Sequence, residues 1–147
     1  MTLAKRWLKA CESHPGCSGH TKNTNLEMPT HLLDLASPGL GEGLVLCEAV
    51  QAAELYATLS HRWGATPLTT IKTLDLQNRL WRICLASLPR TFREAVIFTR
   101  RTRIRYLWMD SLCIIQDSEE DQNREIPRMA AIFSNRQYMM FKTDGSS

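Results

Sequence analysis

The chain has 147 residues, the size of one domain, and its 44% hydrophobic and 22% charged residues suit a folded core and exclude wholesale disorder. A formal charge of +3 is too small for the concentrated basic face of a nucleic-acid-binding domain. No run approaches the ~20 apolar residues that span a bilayer, residues 1–14 lack the apolar stretch of a signal peptide, and five cysteines in such a chain suit reduced thiols in the cytoplasm.

In chain order, residues 2–13 have the spacing of a short amphipathic helix, with Trp7, Leu8 and Cys11 opposite Lys5, Arg6 and Lys9. Pro15 and Gly16 end it, and the polar residues 14–30 read as a loop. Short apolar runs at 31–35, 44–47 and 55–60 have strand length, and Ser37-Pro38-Gly39 with Gly41-Glu42-Gly43 turn the first two into a hairpin. A modest helix is expected over 69–82. After Leu88-Pro89 a second helix is expected to start on a capping box of Thr91 and Glu94, to bury Phe92, Ala95, Val96 and Thr99, and to run to about Thr102. The run 105–109 is a strand. Strand 55–60, helix and strand 105–109 make a βαβ pattern, which predicts a parallel sheet. A final helical region over 118–133 should split at Pro127, which fits only the first turn of its second piece. Residues 137–141 read as a last strand. The expectation is an α/β fold: a partial parallel sheet flanked by helices, with residues 1–50 (helix, loop and hairpin) preceding a domain at 51–147.

Few residues carry recognisable chemistry. Cys11, His14, Cys17 and His20 stand at three-residue intervals and are zinc-ligand types, but the spacing is not that of a standard finger. No metal is expected, with zinc at these four residues as the alternative. Phosphate-binding glycine motifs and a Gly-x-Ser-x-Gly elbow are absent from the sequence. Ser60 and His61 are neighbours on a strand and so face opposite ways. Cys113 lies beside Ile114 and Ile115, a setting that raises a thiol pKa. The densest basic run, Arg100, Arg101, Arg103 and Arg105, reads as a solvated helix end. Among the acids, Asp110 closes a strand at the end where open α/β sheets place ligands, Asp117 follows it, and Glu125 stands in the next helix. Three converging acids suit glycoside-type chemistry; equally, Asp110 and Asp117 suit turns and helix caps.

Three blocks of the sequence resemble the fungal HET (heterokaryon incompatibility) domain. They are Tyr56-Ala57-Thr58-Leu59-Ser60-His61-Arg62-Trp63-Gly64, then Leu88-Pro89 through Thr91-Phe92-Arg93-Glu94-Ala95 into Arg105-Tyr106-Leu107-Trp108-Met109-Asp110-Ser111-Leu112-Cys113-Ile114-Ile115-Gln116-Asp117, then Glu125, Met129 and Ile132-Phe133. The likeness extends over residues 7 to about 135. It implies a TIR-like, flavodoxin-like layered fold and a module of non-self recognition that triggers cell death through protein partners or self-association. Some TIR domains cleave NAD with a helical glutamate. By that comparison Glu125 is the candidate catalytic carboxylate with Asp110 beside it, Ser60, Trp63, Trp108 and Asp117 line the substrate side, and NAD is the possible substrate rather than a bound cofactor.

The sequence departs from the family at three points. Gln122 replaces the aromatic residue of the third block, and Thr102-Arg103 replaces the usual Leu-Gly before the second-block strand. Family members also continue past the third block, so the chain is expected to be a C-terminally truncated domain of marginal stability. Three functions therefore stand open: a signalling module, an NAD hydrolase, and an inactive fragment.

Overall fold

The computed structural model describes residues 28–36, 41–49, 56–61, 70–77, 82–134 and 140–143, together with Arg6, Lys9 and Ala10, which are helical. It is an α/β fold built on one six-stranded mixed sheet. The strands are β1 (His31–Asp34), β2 (Leu44–Glu48), β3 (Tyr56–His61), β4 (Arg82–Ile83), β5 (Tyr106–Met109) and β6 (Met140–Thr143), in the order β4-β2-β1-β5-β3-β6. The helices are α1 (Thr73–Gln77), α2 (Arg90–Arg101), α3 (Asp110–Cys113), α4 (Glu119–Glu125) and α5 (Met129–Ser134), with single 3₁₀ turns at Leu85–Ser87 and Ile126–Arg128.

The expected parallel unit is present: β3 pairs with β5 and with β6 in parallel. The expected hairpin is present too. β1 pairs antiparallel with β2 on one side and with β5 on the other, so the hairpin continues the same sheet. β5 is apolar along its whole length and all four of its residues are buried, as a central strand requires.

Helix α2 buries Phe92, Ala95, Val96 and Thr99, the face its period predicts. Its start differs from expectation. The helix begins two residues early, at Arg90 behind Pro89 in the N-cap position, without a side-chain cap. Leu88 and Phe92 are both buried, which sets the entry of the chain, and Glu94 bonds Arg90 at 2.8 Å instead of closing a capping box. The helix expected over 69–82 is described only as α1; Arg82 and Ile83 instead pair with β2, because the apolar Leu44 and Val45 offer a strand partner there. The break at Pro127 falls where the sequence puts it: α4 ends at Glu125 and a 3₁₀ turn carries the proline at its start.

The exit from α2 is strained. Arg103 holds φ = 63°, a left-handed conformation that glycine adopts freely. An arginine there costs up to about 1 kcal/mol relative to glycine.

The basic run at 100–105 is only partly solvated. Arg100 donates to the carbonyls of Leu35 at 2.9 Å and Gly43 at 2.8 Å, the two ends of the β1–β2 turn. Arg105 grips Asp34 in β1 through Nε at 3.0 Å and Nη2 at 2.9 Å. Two arginines thus clamp the hairpin to the α2–β5 corner, while Arg101 and Arg103 face solvent.

The Asp34 clamp makes stability depend on pH. Burial alone would raise the Asp34 pKa, but the Arg105 guanidinium and the Ala36 N–H hold it below the ordinary aspartate value. The folded state therefore binds that proton more weakly than the unfolded chain. The contribution is fully present above the unfolded pKa of about 4 and disappears as pH falls through the folded value. Asp34→Asn keeps the Ala36 bond and loses the charge. It should cost about 1–2 kcal/mol at neutral pH, less than a fully buried pair because Arg105 is 43% exposed. Urea midpoints of the two proteins should converge below pH 3; a constant gap down to that pH would disprove the linkage.

Candidate functional site

Strand register and a bond to Thr30 bring two of the three sequence-predicted acids, Asp110 and Glu125, to one edge of the sheet. Leu59 lies opposite Met109 in the parallel β3–β5 pair, so Ser60 and Asp110 follow at the same level, at the carboxyl ends of adjacent strands. Leu33 lies opposite Leu107 in the antiparallel β1–β5 pair, which places Thr30, just before β1, at that level as well. Ser60, Asp110 and Thr30 thus stand at one level along the carboxyl edge of the parallel strands, where open α/β sheets build their ligand crevices, and Glu125 is bonded to Thr30 there.

Each side chain is held differently. Asp110 opens α3 and is half-buried; its Oδ1 accepts the N–H of the next residue, Ser111, at 2.8 Å. Ser60 is half-buried near the end of β3. Glu125 is fully buried. One carboxylate oxygen accepts the Thr30 N–H at 3.2 Å and the other accepts the Thr30 hydroxyl. Arg124 Nε and Arg128 Nη1 stand 3.6 Å from the second oxygen. In this arrangement the carboxylate ties α4 to the start of β1.

Asp117 and Trp108 make contacts of their own. Asp117 accepts the backbone N–H of Thr73 at 2.7 Å and its hydroxyl at 2.9 Å, capping α1 from across the fold. The Thr73 N–H is the chief reason its pKa lies below the ordinary aspartate value. The Ile71 N–H to Ser111 and Gln116 N–H to Ile71 bonds brace the same two segments. Trp108 is fully buried in β5 and meets Phe133 of α5 edge-on, with ring centroids 5.2 Å apart. Trp63 lies outside the described residues, as do Cys11, His14, Cys17 and His20. Among the described residues no group of three acids, histidines or cysteines could hold a metal ion.

Asp121 is a structural residue that the sequence reading did not single out. Only 2% of it is exposed; Oδ2 accepts the Ile115 N–H at 2.8 Å and Oδ1 pairs with Arg124. A signal for it exists. The segment Glu119–Glu125, EEDQNRE, contains no apolar residue, so a helix there that packs at all must pack on polar groups. Asp121 and Glu125, one turn apart, supply them, and Gln122 between them donates to the Gln116 carbonyl. Gln122 therefore serves this chain as a polar brace in the position where the resemblance expects an aromatic ring.

Cys113 is buried and its thiol donates weakly to the Leu107 carbonyl at 3.9 Å; burial pushes its pKa up, which makes it a packing residue. A cavity of about 420 Å³ lies to the side, lined by His31, Val45, Leu46, Cys47, Glu48 and Leu76. It contains none of Ser60, Asp110 or Glu125. No helix among the described residues is long and apolar enough to cross a membrane.

Compared with known proteins, residues 56–147 match the family model described as Heterokaryon incompatibility protein (HET). The match begins with β3 and runs through the whole carboxyl edge to β6. No curated protein and no solved structure matches the chain.

Proposed function

Because the chain belongs to the heterokaryon incompatibility (HET) family, we propose that it acts in the cytoplasm as a fungal non-self recognition module that signals cell death by binding protein partners, other copies of itself included. The observation that carries this reading is the family match over β3, β5 and β6, the strands whose carboxyl ends hold Ser60 and Asp110. Expression of the chain in fungal cells should arrest growth or kill. Asp110→Asn keeps the Oδ1 acceptor for Ser111, and it should relieve the toxicity at equal protein level. Full viability with folded protein accumulating would defeat the proposal. Death that is indifferent to Asp110→Asn would move the function away from this edge.

A second reading is NAD hydrolysis at Glu125. The shared edge of Ser60, Asp110 and Glu125 favours it, because a general acid must stand within hydrogen-bond reach of the ribose. It requires the two Thr30 bonds to open so that the buried carboxylate meets substrate. Purified, folded chain that leaves NAD intact would exclude this activity.

A further inference from the structure

The Thr30–Glu125 contact joins a firmly held part of the fold to a lightly held one. Thr30 belongs to the sheet: its carbonyl accepts the Ala49 N–H at 2.9 Å, which prolongs the β1–β2 ladder. Glu125 ends α4, whose seven residues include no apolar side chain. Where α2 rests on Phe92, Ala95 and Val96, α4 is held by polar bonds. Asp121 and Gln122 bond to Ile115 and Gln116, in the segment that leads into α4, and can move with it. Among the described hydrogen bonds, only those from Thr30 tie α4 to the sheet.

The carboxylate also has other partners at hand. Arg124 Nε and Arg128 Nη1 stand 3.6 Å from the oxygen that accepts the Thr30 hydroxyl, and their side chains are 43% and 34% exposed. Both arginines are close to Glu125 in the chain and move with it. A Glu125 that leaves Thr30 keeps this counter-charge, so release does not strand a buried carboxylate alone. Segments with few apolar contacts open at far less cost than core strands, and binding and catalytic segments are drawn from that class. Thr30 lies ahead of residues 56–147, which match the family model, and Glu125 lies within them. The contact therefore gives the preceding chain a hold on the matched region.

We propose that Thr30 is a latch that regulates Glu125. With the two bonds made, α4 stays docked and the carboxylate is buried and closed to substrate. With them broken, α4 lifts as a unit, Glu125 turns to Arg128, and the carboxylate opens to solvent at the carboxyl edge. The regulatory part of this rests on the reading of Glu125 as a hydrolytic carboxylate; the opening of α4 does not. Opening is measured by amide exchange and hydrolysis by NAD turnover, so either can fail without the other.

The test is hydrogen–deuterium exchange of the whole chain, followed over residues 115–128 and over β5. In the unaltered chain α4 should exchange ahead of β5, and at a rate that dilute urea leaves unchanged, the mark of a local opening that exposes little surface. Thr30→Val removes the hydroxyl donor and should speed exchange of α4 about tenfold or more. Thr30→Ser keeps the donor and should stay close to the parent. Exchange of α4 only together with β5, with the same urea dependence, overturns the proposal, because α4 then has no opening of its own. Unchanged α4 exchange in Thr30→Val overturns it as well, as does a Thr30→Val chain that unfolds outright. NAD turnover on the same samples decides the reading of Glu125. Faster turnover by Thr30→Val supports latch and hydrolase together. Faster α4 exchange with NAD left intact defeats the hydrolase reading and leaves the latch standing.

Discussion

Glu125→Ala is expected to cost about 3 kcal/mol of folding free energy, because it removes a fully buried carboxylate that serves several donors at once. The Thr30 N–H and hydroxyl lose their acceptor, and Arg124 and Arg128 lose the charge 3.6 Å away. The residues bonded are 95 positions apart in the chain, so the loss falls on the tertiary join between α4 and β1 rather than on helix α4 alone. Urea unfolding should show a lower midpoint with a similar slope. Glu125→Gln should lose less, since one amide oxygen still accepts from Thr30 while the NH₂ opposes the other donor. The result also bears on function. An alanine variant as stable as the parent would mean that the Thr30 latch contributes nothing, and that the carboxylate is held ready for another task.

Trp108→Ala should cost still more, about 3–5 kcal/mol, by emptying the centre of the sheet. The ring is fully buried, and its edge-on contact with Phe133 couples β5 to α5. Tyr56 makes the parallel connection from β3 by donating to the Ile132 carbonyl at 3.0 Å. The indole N–H of Trp108 has no hydrogen-bond partner among the described residues. Its value is therefore volume and not polarity. Trp108→Phe should accordingly cost only about 1–2 kcal/mol, since the smaller cavity is partly offset by losing an unsatisfied donor. Equal losses for Phe and Ala, measured by denaturant midpoint, would contradict this and show that the N–H is bonded.

These two residues also show how far a sequence can be read. Trp108 was legible as a buried strand residue from its apolar neighbours alone. Glu125 was legible as a notable acid, but as a candidate catalyst rather than a latch. The lack of apolar residues in α4 tells that some polar side chain must turn inward, but not what this carboxylate will meet, because its partner Thr30 is remote in the chain. Ser118 and Asp121 illustrate the same divide within one turn. Ser118 caps α4 by accepting the Asp121 N–H, which is local chemistry, while the Asp121 side chain leaves the solvent to hold Ile115 and Arg124.

By itself the sequence determined the kinds of element apart from β4, the buried face of α2, the break at Pro127 and the family, because periodicity, proline chemistry and linear motifs act over a few residues. The tertiary structure alone decided that the hairpin lies against β5, and hence that Thr30, Asp110 and Ser60 share one level at the sheet edge. It alone turned Arg100 and Arg105 inward onto partners 65 and 71 residues away. Such choices depend on which strands become neighbours, and a strand's own pattern states only which face is apolar, not what it will lie beside.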